Sequence, residues 1–268
     1  MGRWSGARPR RPVRPADPPG VMPTMIEPEL ATLAHRIPGY GDWSYEIKFD
    51  GYRILTRVAH GDAQLFTRNG HDWTSRMPHL RAEAVELPVE NAWFDGEATV
   101  LGFEGRPDFN ALQNAFDRRH TENIVLFVFD LMWLNSCDLR NEPLRVRRKL
   151  LRALMARSPS SWIRLSDDFD RDPAELVKAA CRMKLEGIVG KRGDSPYRSG
   201  RSSDWIKLKC NLRQEFVVGG IARAKGAVSG VRSLLLGVYE DDGSLRYAGH
   251  VRPHFAPRQS AAFQARAD

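Results

Sequence analysis

The pattern of apolar and polar positions predicts a mixed chain of strands and helices. Alternating or unbroken apolar runs, rich in β-branched and aromatic residues, predict strands at residues 43–49, 53–59, 63–67, 92–101, 123–134, 186–191 and 204–209. Apolar residues at helical spacing predict helices at residues 29–36, 75–87, 109–115, 144–156 and 173–184. Hairpins interspersed with helices favour the α+β class over a doubly wound parallel sheet.

Three local features refine these elements. Short segments that contain Asp50-Gly51 and Gly61-Asp62 separate the three strands between residues 43 and 67, so we expect an antiparallel meander there. The run 123–134 is almost entirely apolar and predicts a central strand. Asp172 before Pro173 predicts the N-cap of the last helix.

From residue 214 onward the pattern becomes all-β. Short strands are predicted at residues 215–221, 233–239 and 245–251, separated by glycine-bearing loops. We therefore expect a first domain over residues 21–213 and a second over residues 214–268. A small barrel of the oligonucleotide-binding (OB) type needs five strands, so the second domain is expected to be an incomplete barrel with unpaired strand edges.

Composition narrows the class of protein. The chain has 268 residues, of which 42% are apolar and 28% charged, and no apolar run approaches the roughly 20 residues that cross a bilayer. No apolar leader segment follows the first residues, which predicts a cytoplasmic location. The three cysteines, Cys137, Cys181 and Cys210, are far apart and lack ligand spacing, so neither a disulfide framework nor a zinc site is indicated.

Charge favours a polyanionic partner. The formal net charge is +8, and residues 1–20 contain five arginines and five prolines against one aspartate. This composition predicts a disordered basic tail. Two interpretations of the tail remain open, a solvated leader or mis-assigned start and a nucleic-acid-binding arm.

Lysine is rare enough to single out individual positions. Only 8 of the 41 basic residues are lysines, and an ammonium can lose its proton to become a nucleophile whereas a guanidinium cannot. Lys48 lies in the segment Glu46-Ile47-Lys48-Phe49-Asp50-Gly51-Tyr52-Arg53. Alternation on a strand would place Glu46, Lys48 and Asp50 on one face and Ile47 and Phe49 in the core. The alternative is a hairpin that carries a surface ion pair.

Five further short motifs follow in order along the chain. They are Arg68-Asn69-Gly70, Asp95-Gly96-Glu97, Phe127-Val128-Phe129-Asp130-Leu131, Glu186-Gly187-Ile188-Val189 and Lys207-Leu208-Lys209. Together with the Lys48 segment, this set resembles the nucleotidyltransferase motifs of ATP-dependent DNA ligases. It is most similar to the ligase module of bacterial non-homologous end-joining ligases, over roughly residues 22–250.

The resemblance implies an enzyme that works through a covalent lysine adenylate. In such ligases a lysine attacks the α-phosphorus of ATP, the AMP passes to a DNA 5'-phosphate, and a 3'-hydroxyl then displaces the AMP. Lys48 matches the nucleophile, and Lys207 and Lys209 match the α-phosphate contacts. Together with a bound Mg²⁺ or Mn²⁺, these two cations would favour the uncharged amine of Lys48.

The same resemblance assigns the remaining nucleotide-site residues. Arg53 and Arg68 match residues that position ribose and phosphate, and Lys191 matches a contact to phosphate or DNA. Phe129 matches the aromatic that stacks on adenine, and Glu46, Ile47 and Val189 complete the nucleotide-binding set. The implied metal ligands are Glu97, Glu186 and Asp50. A purely structural role is the alternative for the two glutamates, and burial in the core is the alternative for Phe129; Phe127 is expected to be core.

The end of the chain departs from the family pattern. After Tyr247-Ala248-Gly249 the family continues to a basic motif that orients pyrophosphate, and no such motif precedes Asp268. We therefore expect a fragment, a frameshifted product or a shortened paralogue. Such a chain would be impaired in self-adenylation more than in sealing DNA that already carries 5'-AMP.

Three functional alternatives follow from these features. The first is a DNA ligase acting on nicked or broken duplex DNA as a monomer near the bacterial nucleoid, with Ku and separate polymerase or phosphoesterase components as partners. The second is an RNA ligase or another nucleotidyltransferase such as a cap guanylyltransferase, against which the extended similarity argues. The third is a non-ligating DNA-binding remnant, which retention of every motif through Lys209 opposes.

Overall fold

A computed structural model describes residues 20–169, 172–210, 216–223, 231–240 and 242–252. The expected tail, apart from residue 20, and residues 253–268 lie outside this description. Chain contacts divide the protein into two compact units, Met1–Asn211 and Leu212–Asp268.

The first unit contains eleven strands among its described residues. They are β1 (Glu29–Leu33), β2 (Trp43–Ile47), β3 (Tyr52–Ala59), β4 (Asp62–Thr67), β5 (Asn91–Val100), β6 (Ile124–Leu134), β7 (Cys137–Asp138), β8 (Ile163–Leu165), β9 (Asp168–Phe169), β10 (Gly187–Arg192) and β11 (Gly200–Lys209). One sheet has the order β1-β11-β10-β2-β9, and the other has the order β4-β3-β5-β6-β7 with β8 beside β6. Pairing is antiparallel except for β1 with β11 and β6 with β8.

Four α-helices in the described part of this unit cover the sheets. They are α1 (Pro78–Val85), α2 (Phe109–Asp117), α3 (Leu144–Arg157) and α4 (Pro173–Arg182). The first is shorter than predicted, because Thr74–Arg76 forms a 3₁₀ turn and Pro78 begins the helix. The predicted cap of α4 is confirmed, since the Asp172 side chain accepts hydrogen bonds from the backbone N–H groups of Ala174 and Glu175.

Both faces of the β4-β3-β5-β6-β7 sheet are buried. Ile54, Phe94 and Leu126 pack in a core that also includes residues of α1, α2 and α3, such as Leu80, Leu112 and Leu151. The opposite face carries Leu55 and Phe129, which share a second core with Trp205 of β11. Strand β6 therefore has apolar neighbours on both sides, as its unbroken apolar sequence predicts.

Two predictions for the first unit are wrong. Residues 29–33 form strand β1 and not a helix, because they pair in parallel with β11, a partner about 170 residues away that local spacing cannot reveal. The meander is also wrong in part. The β3–β4 hairpin exists, but β2 belongs to the other sheet, so Asp50-Gly51 connects two sheets instead of two paired strands.

A disulfide corrects the interpretation of the cysteines. Cys181, at the end of α4, is joined to Cys210, which directly follows β11, with a Cα–Cα distance of 5.3 Å. Spacing gave no sign of it because α4 packs against β10, the neighbour of β11, and this brings together residues separated by 29 positions. Cys137 on β7 is a free thiol.

The second unit contributes one antiparallel sheet. Its strands are β12 (Val217–Arg223), β13 (Val231–Tyr239) and β14 (Leu245–Val251), paired in that order. These bounds agree with the predicted strands to within about two residues. Within the residues described for this unit, no further strand is present, and no described helix of the chain is long and apolar enough to cross a membrane.

Candidate active site

A cavity of about 480 Å³ lies between the two sheets of the first unit. Strands β1, β10 and β11 and the end of β2 form one side, and strands β3, β5 and β6 form the other. Ten of the thirteen predicted site residues line it: Glu46, Ile47, Lys48, Arg53, Arg68, Glu97, Phe129, Val189, Lys191 and Lys207. Glu186, Lys209 and Asp50 do not line it.

Lys48 lies just beyond the end of β2. Its backbone N–H donates to the Gly187 carbonyl at 3.0 Å, and its amine donates to the Glu186 carboxylate. The predicted alternation fails here because the strand ends at Ile47: Phe49 lines the cavity, and Ile47 lines it while also packing against the core that contains Ile188. Asp50 is exposed.

At Gly51 the backbone passes very close to β5, and this fixes the path of the segment that contains Lys48. A Cβ atom at this position would lie 2.2 Å from the carbonyl oxygen of Ala98 on β5. Only glycine allows the chain to pass so near the backbone of β5 on its way from Lys48 to β3. The sheet-to-sheet connection therefore depends on the absence of a side chain at residue 51.

Glu186 joins two of the predicted catalytic lysines. Besides the amine of Lys48, its carboxylate holds the Lys209 amine at 2.7 Å. Burial acts to raise the pKa of Glu186, but the hydrogen bonds from Lys209 and Lys48 outweigh it and lower that pKa. Glu186 is thus held ionised between two cations.

Lys207 supplies the third cation of this cluster. It lines the cavity, two positions before Lys209 and on the same face of β11. Burial lowers the pKa of Lys207, and repulsion from Lys209, Lys48 and Arg201 lowers it further. The free protein therefore concentrates positive charges, and a bound polyphosphate would relieve their mutual repulsion.

Arg53 is held by residues to which sequence analysis gave no role. Its guanidinium forms a two-pronged ion pair with the buried carboxylate of Asp95, with Nη2 2.6 Å from Oδ2. The same carboxylate accepts a hydrogen bond from the Tyr197 hydroxyl at 2.6 Å. Asp95 lies two positions before Glu97 in the Asp95-Gly96-Glu97 motif, whereas no local sequence pattern marks Tyr197.

Lys191 does not lie at the protein surface. Its side chain is 2% exposed, with the amine 2.8 Å from the Glu46 carboxylate and over the rings of Phe129 and Trp205, at 4.1 and 4.2 Å from their centroids. Burial lowers the pKa of Lys191, against the attraction of Glu46. The geometry places Lys191 in the wall of the cavity. This position does not favour contact with DNA outside the cavity.

Phe129 and Phe127 differ in their surroundings. Phe129 is 7% exposed, yet it lines the cavity beside the Arg53 guanidinium, which lies 4.6 Å from its ring centroid. Phe127, which was expected in the core, is half-buried and stacks on Phe49 with ring centroids 4.2 Å apart. This stacked pair fixes the ring of Phe49, a residue of the cavity lining next to Lys48.

Arg68 enters the cavity from the turn after β4. The turn is closed by hydrogen bonds from Thr67 N–H to the His71 carbonyl and from Gly70 N–H to the Thr67 carbonyl. Asn69 and His71 of the same turn also line the cavity. Asn69 belongs to the Arg68-Asn69-Gly70 motif, whereas no motif in the sequence marks His71.

The predicted metal ligands do not form one cluster. In the described ranges, no group of three or more histidine, cysteine, aspartate or glutamate side chains could hold a metal ion. Glu97 lines the cavity, Glu186 is engaged by two lysines, and Asp50 is exposed. Burial raises the pKa of Glu97 to about 7, although Arg53 and Lys48 act against it. A cation held by one or two carboxylates and the phosphates of a ligand fits this arrangement, since Mg²⁺ keeps several non-protein ligands.

Comparison with known proteins defines the class. A family model described as the ATP dependent DNA ligase domain matches residues 28–209. The chain therefore belongs to the ATP-dependent DNA ligase family, and its first unit has the mixed α+β fold of that family's adenylation domain.

Individual relatives show which members of this family the chain resembles. The chain is 49% identical over 236 residues to the multifunctional non-homologous end joining protein LigD of Pseudomonas aeruginosa, covering 87% of this chain and 28% of the relative. It is 32% identical over 250 residues to DNA ligase C1 of Mycolicibacterium smegmatis, covering 88% of this chain and 69% of the relative. The chain thus spans less than a third of the length of its LigD relatives.

Solved structures give the same result. The structure of mycobacterial DNA ligase D complexed with ATP and MES aligns with a TM-score of 0.64 and 34% identity, covering 90% of this chain and 76% of that chain. The ligase domain of LigD from M. tuberculosis aligns with a TM-score of 0.62 and 32% identity over the same shares. Both structures come from mycobacterial LigD proteins, whereas the relative with 49% identity is the LigD of Pseudomonas aeruginosa.

Proposed function

We propose that this protein joins DNA strands through a covalent adenylate on Lys48. The observation that carries the proposal is the position of the Lys48 amine in the cavity, beside Glu186 and near Lys207 and Lys209. The amine attacks the α-phosphorus of ATP, pyrophosphate leaves, and the amine gives up its proton. The AMP then passes to a DNA 5'-phosphate, and a 3'-hydroxyl displaces it to seal the strand.

The remaining residues hold the nucleotide. Phe129 offers an aromatic face to the base, with Glu46, Ile47, Val189 and Lys191 around it, while Arg53 and Arg68 hold ribose and phosphate. Lys207 and Lys209 offset the charge that develops on the α-phosphate. Glu97, which lines the cavity, is the best placed ligand for Mg²⁺ or Mn²⁺, and such a cation would neutralise phosphate charge; Glu186 and Asp50 do not line the cavity and are the further candidates.

The biological setting follows from the LigD relatives. We infer DNA repair by end joining on nicked or broken duplex DNA, in the bacterial cytoplasm near the nucleoid, with Ku and polymerase or phosphoesterase components as partners. The net charge of +8 supports a DNA partner. The three-stranded sheet of the second unit is compatible with the start of an OB-type barrel, which would place a domain boundary near residue 213.

Retention of labelled AMP tests the proposal. Incubation with ATP labelled at the α-phosphate and Mg²⁺, followed by denaturing electrophoresis, should leave label on the wild-type protein and none on Lys48→Arg. The matched control is Lys178→Arg, because Lys178 is exposed, forms an ion pair with Glu175 on α4 and does not line the cavity. Label on Lys48→Arg at the wild-type level would overturn the assignment.

A further inference from the structure

A half-buried disulfide lies next to the lysine cluster. Cys210 directly follows Lys209, and Cys181 lies in the last turn of α4, five positions before Glu186. Both cysteines are of intermediate exposure, so small thiol reagents can reach them.

The disulfide and the active-site contacts meet at Glu186. The backbone N–H of Cys210 donates to the Glu186 carbonyl at 3.0 Å. The side chain of the same glutamate binds the amines of Lys48 and Lys209. The end of β11 is therefore fixed to α4 covalently and to Glu186 by this hydrogen bond.

Lys209 is the lysine most dependent on this anchor. Its side chain is 45% exposed, against 20% for Lys48, and it is the last residue of β11. When the disulfide is reduced, the covalent tie to α4 is lost, and the strand end is held by the Cys210 hydrogen bond to Glu186 and by the last pair of the β10–β11 ladder, Gly187 with Lys209. Strand ends with few buried contacts open at low free energy, so the position of Lys209 becomes less defined.

We propose that Cys181 and Cys210 form a redox modification site that takes low-molecular-weight disulfides as substrate and couples its oxidation state to the lysine cluster. The inference rests on the proposed function, because its readout is adenylation of Lys48. The oxidised protein keeps Lys209 against Glu186 and reacts faster with ATP; the dithiol form reacts more slowly.

The exchange balances with glutathione disulfide as the oxidant. One cysteine thiolate attacks a sulfur of glutathione disulfide, which forms a mixed disulfide and releases one glutathione thiolate. The second cysteine attacks the protein-side sulfur of the mixed disulfide and releases the second glutathione. Two protein thiols and one glutathione disulfide give one protein disulfide and two glutathione thiols, which keep the two protons.

The test uses the full chain in defined ratios of reduced to oxidised glutathione. Peptide mapping should find the Cys181–Cys210 disulfide at oxidising ratios, with Cys137 still reactive toward maleimide. The initial rate of AMP incorporation should be about threefold or more higher for the oxidised than for the reduced wild type, because a misplaced charged contact slows the reaction. Cys181→Ser and Cys210→Ser should react at the reduced rate in every buffer.

Cys137→Ser is the matched control. It removes the free thiol on β7 and should keep the full response of AMP incorporation to the glutathione ratio. Failure of the disulfide to form at any ratio, or equal rates for the oxidised and reduced wild type, would overturn the proposal. If no form incorporates AMP, the proposed function and the coupling both fail, while peptide mapping still decides whether the cysteine pair exists.

Discussion

Glu186 organises the cluster formed by Lys48, Lys207 and Lys209. A single carboxylate holds the amines of Lys48 and Lys209, while Lys207 stands nearby with its pKa lowered by burial and by its cationic neighbours. Three ammonium groups without this carboxylate would repel one another. The free site is therefore organised by one internal anion, and a triphosphate would supply further negative charge.

Glu97 gives the site a pH dependence at the scale of a single residue. Burial raises its pKa to about 7, so the carboxyl is mostly protonated below pH 7 and ionised above. Because only the ionised form binds a cation, Mg²⁺-dependent binding of ATP should strengthen as pH rises toward 7 and level off above it. Each pH unit below 7 should cost up to about tenfold in affinity.

Calorimetry of ATP binding checks this prediction. It should be done at pH 6, 7 and 8 on Lys48→Arg, which keeps the positive charge but cannot react. Adding Glu97→Gln should weaken binding at pH 8 and flatten the profile relative to the parent. The ATP phosphates titrate equally in both proteins, so the difference between the two profiles isolates Glu97. Parallel profiles would show that Glu97 does not bind the cation.

At the scale of elements, the segment between β2 and β3 positions the nucleophile. This segment contains Lys48 and crosses the cavity from one sheet to the other. At Gly51 its backbone passes too close to β5 for any side chain to fit. Gly51→Ala should therefore destabilise the protein by about 1–3 kcal/mol, because the Ala98 carbonyl belongs to a central strand that cannot move freely.

Thermal unfolding and AMP incorporation measure the effect of this substitution together. Gly39→Ala is the matched control, since a Cβ at residue 39 would meet nothing within 4 Å. We expect Gly39→Ala to stay within about 0.5 kcal/mol of wild type. If Gly51→Ala had wild-type stability and wild-type incorporation, the close approach to β5 would have no role in placing Lys48.

Elements also show how far local patterns determine this fold. Strands β3 to β6 could be predicted because each combines β-branched and aromatic residues with clear turn signals. Strand β1 could not be, because it exists only through parallel pairing with β11. Strand β2 was found, but its end at Ile47 was not, so the expected core position is wrong for Phe49 and only partly right for Ile47, which touches both the cavity and a core.

The residues of the site, and those that support them, can also be divided into predicted and unpredicted ones. Thirteen site residues were predicted with the help of the resemblance, and ten of them line the cavity. Tyr197 and Ser166 were not predicted, because they act through hydrogen bonds to Asp95 and Glu46, residues 102 and 120 positions away. Such partners become visible only once the two sheets are placed face to face.

At the scale of the whole molecule, the proposed reaction separates into steps that need different groups. Lys48 is required to take AMP from ATP but not to seal a nick that already carries 5'-AMP. Lys48→Arg should therefore fail to seal a 5'-phosphate nick in the presence of ATP and should still seal a pre-adenylated nick. The wild type should seal both substrates.

Gel analysis of labelled nicked duplexes measures this separation. Lys178→Arg should behave as the wild type on both substrates, since its ammonium pairs with Glu175 on the surface of α4. Sealing of the ordinary nick by Lys48→Arg would contradict the proposed order of steps. Failure on the pre-adenylated nick alone would give Lys48 a further role in the final step.

The position of the covalent AMP tests the central claim most directly. After reaction of the wild-type protein with ATP and Mg²⁺, protease digestion and tandem mass spectrometry should locate AMP on Lys48. The peptides that contain Lys191, Lys207 and Lys209 should be unmodified. Covalent AMP on one of those lysines, or an unmodified Lys48 in protein that has turned ATP over, would contradict the account.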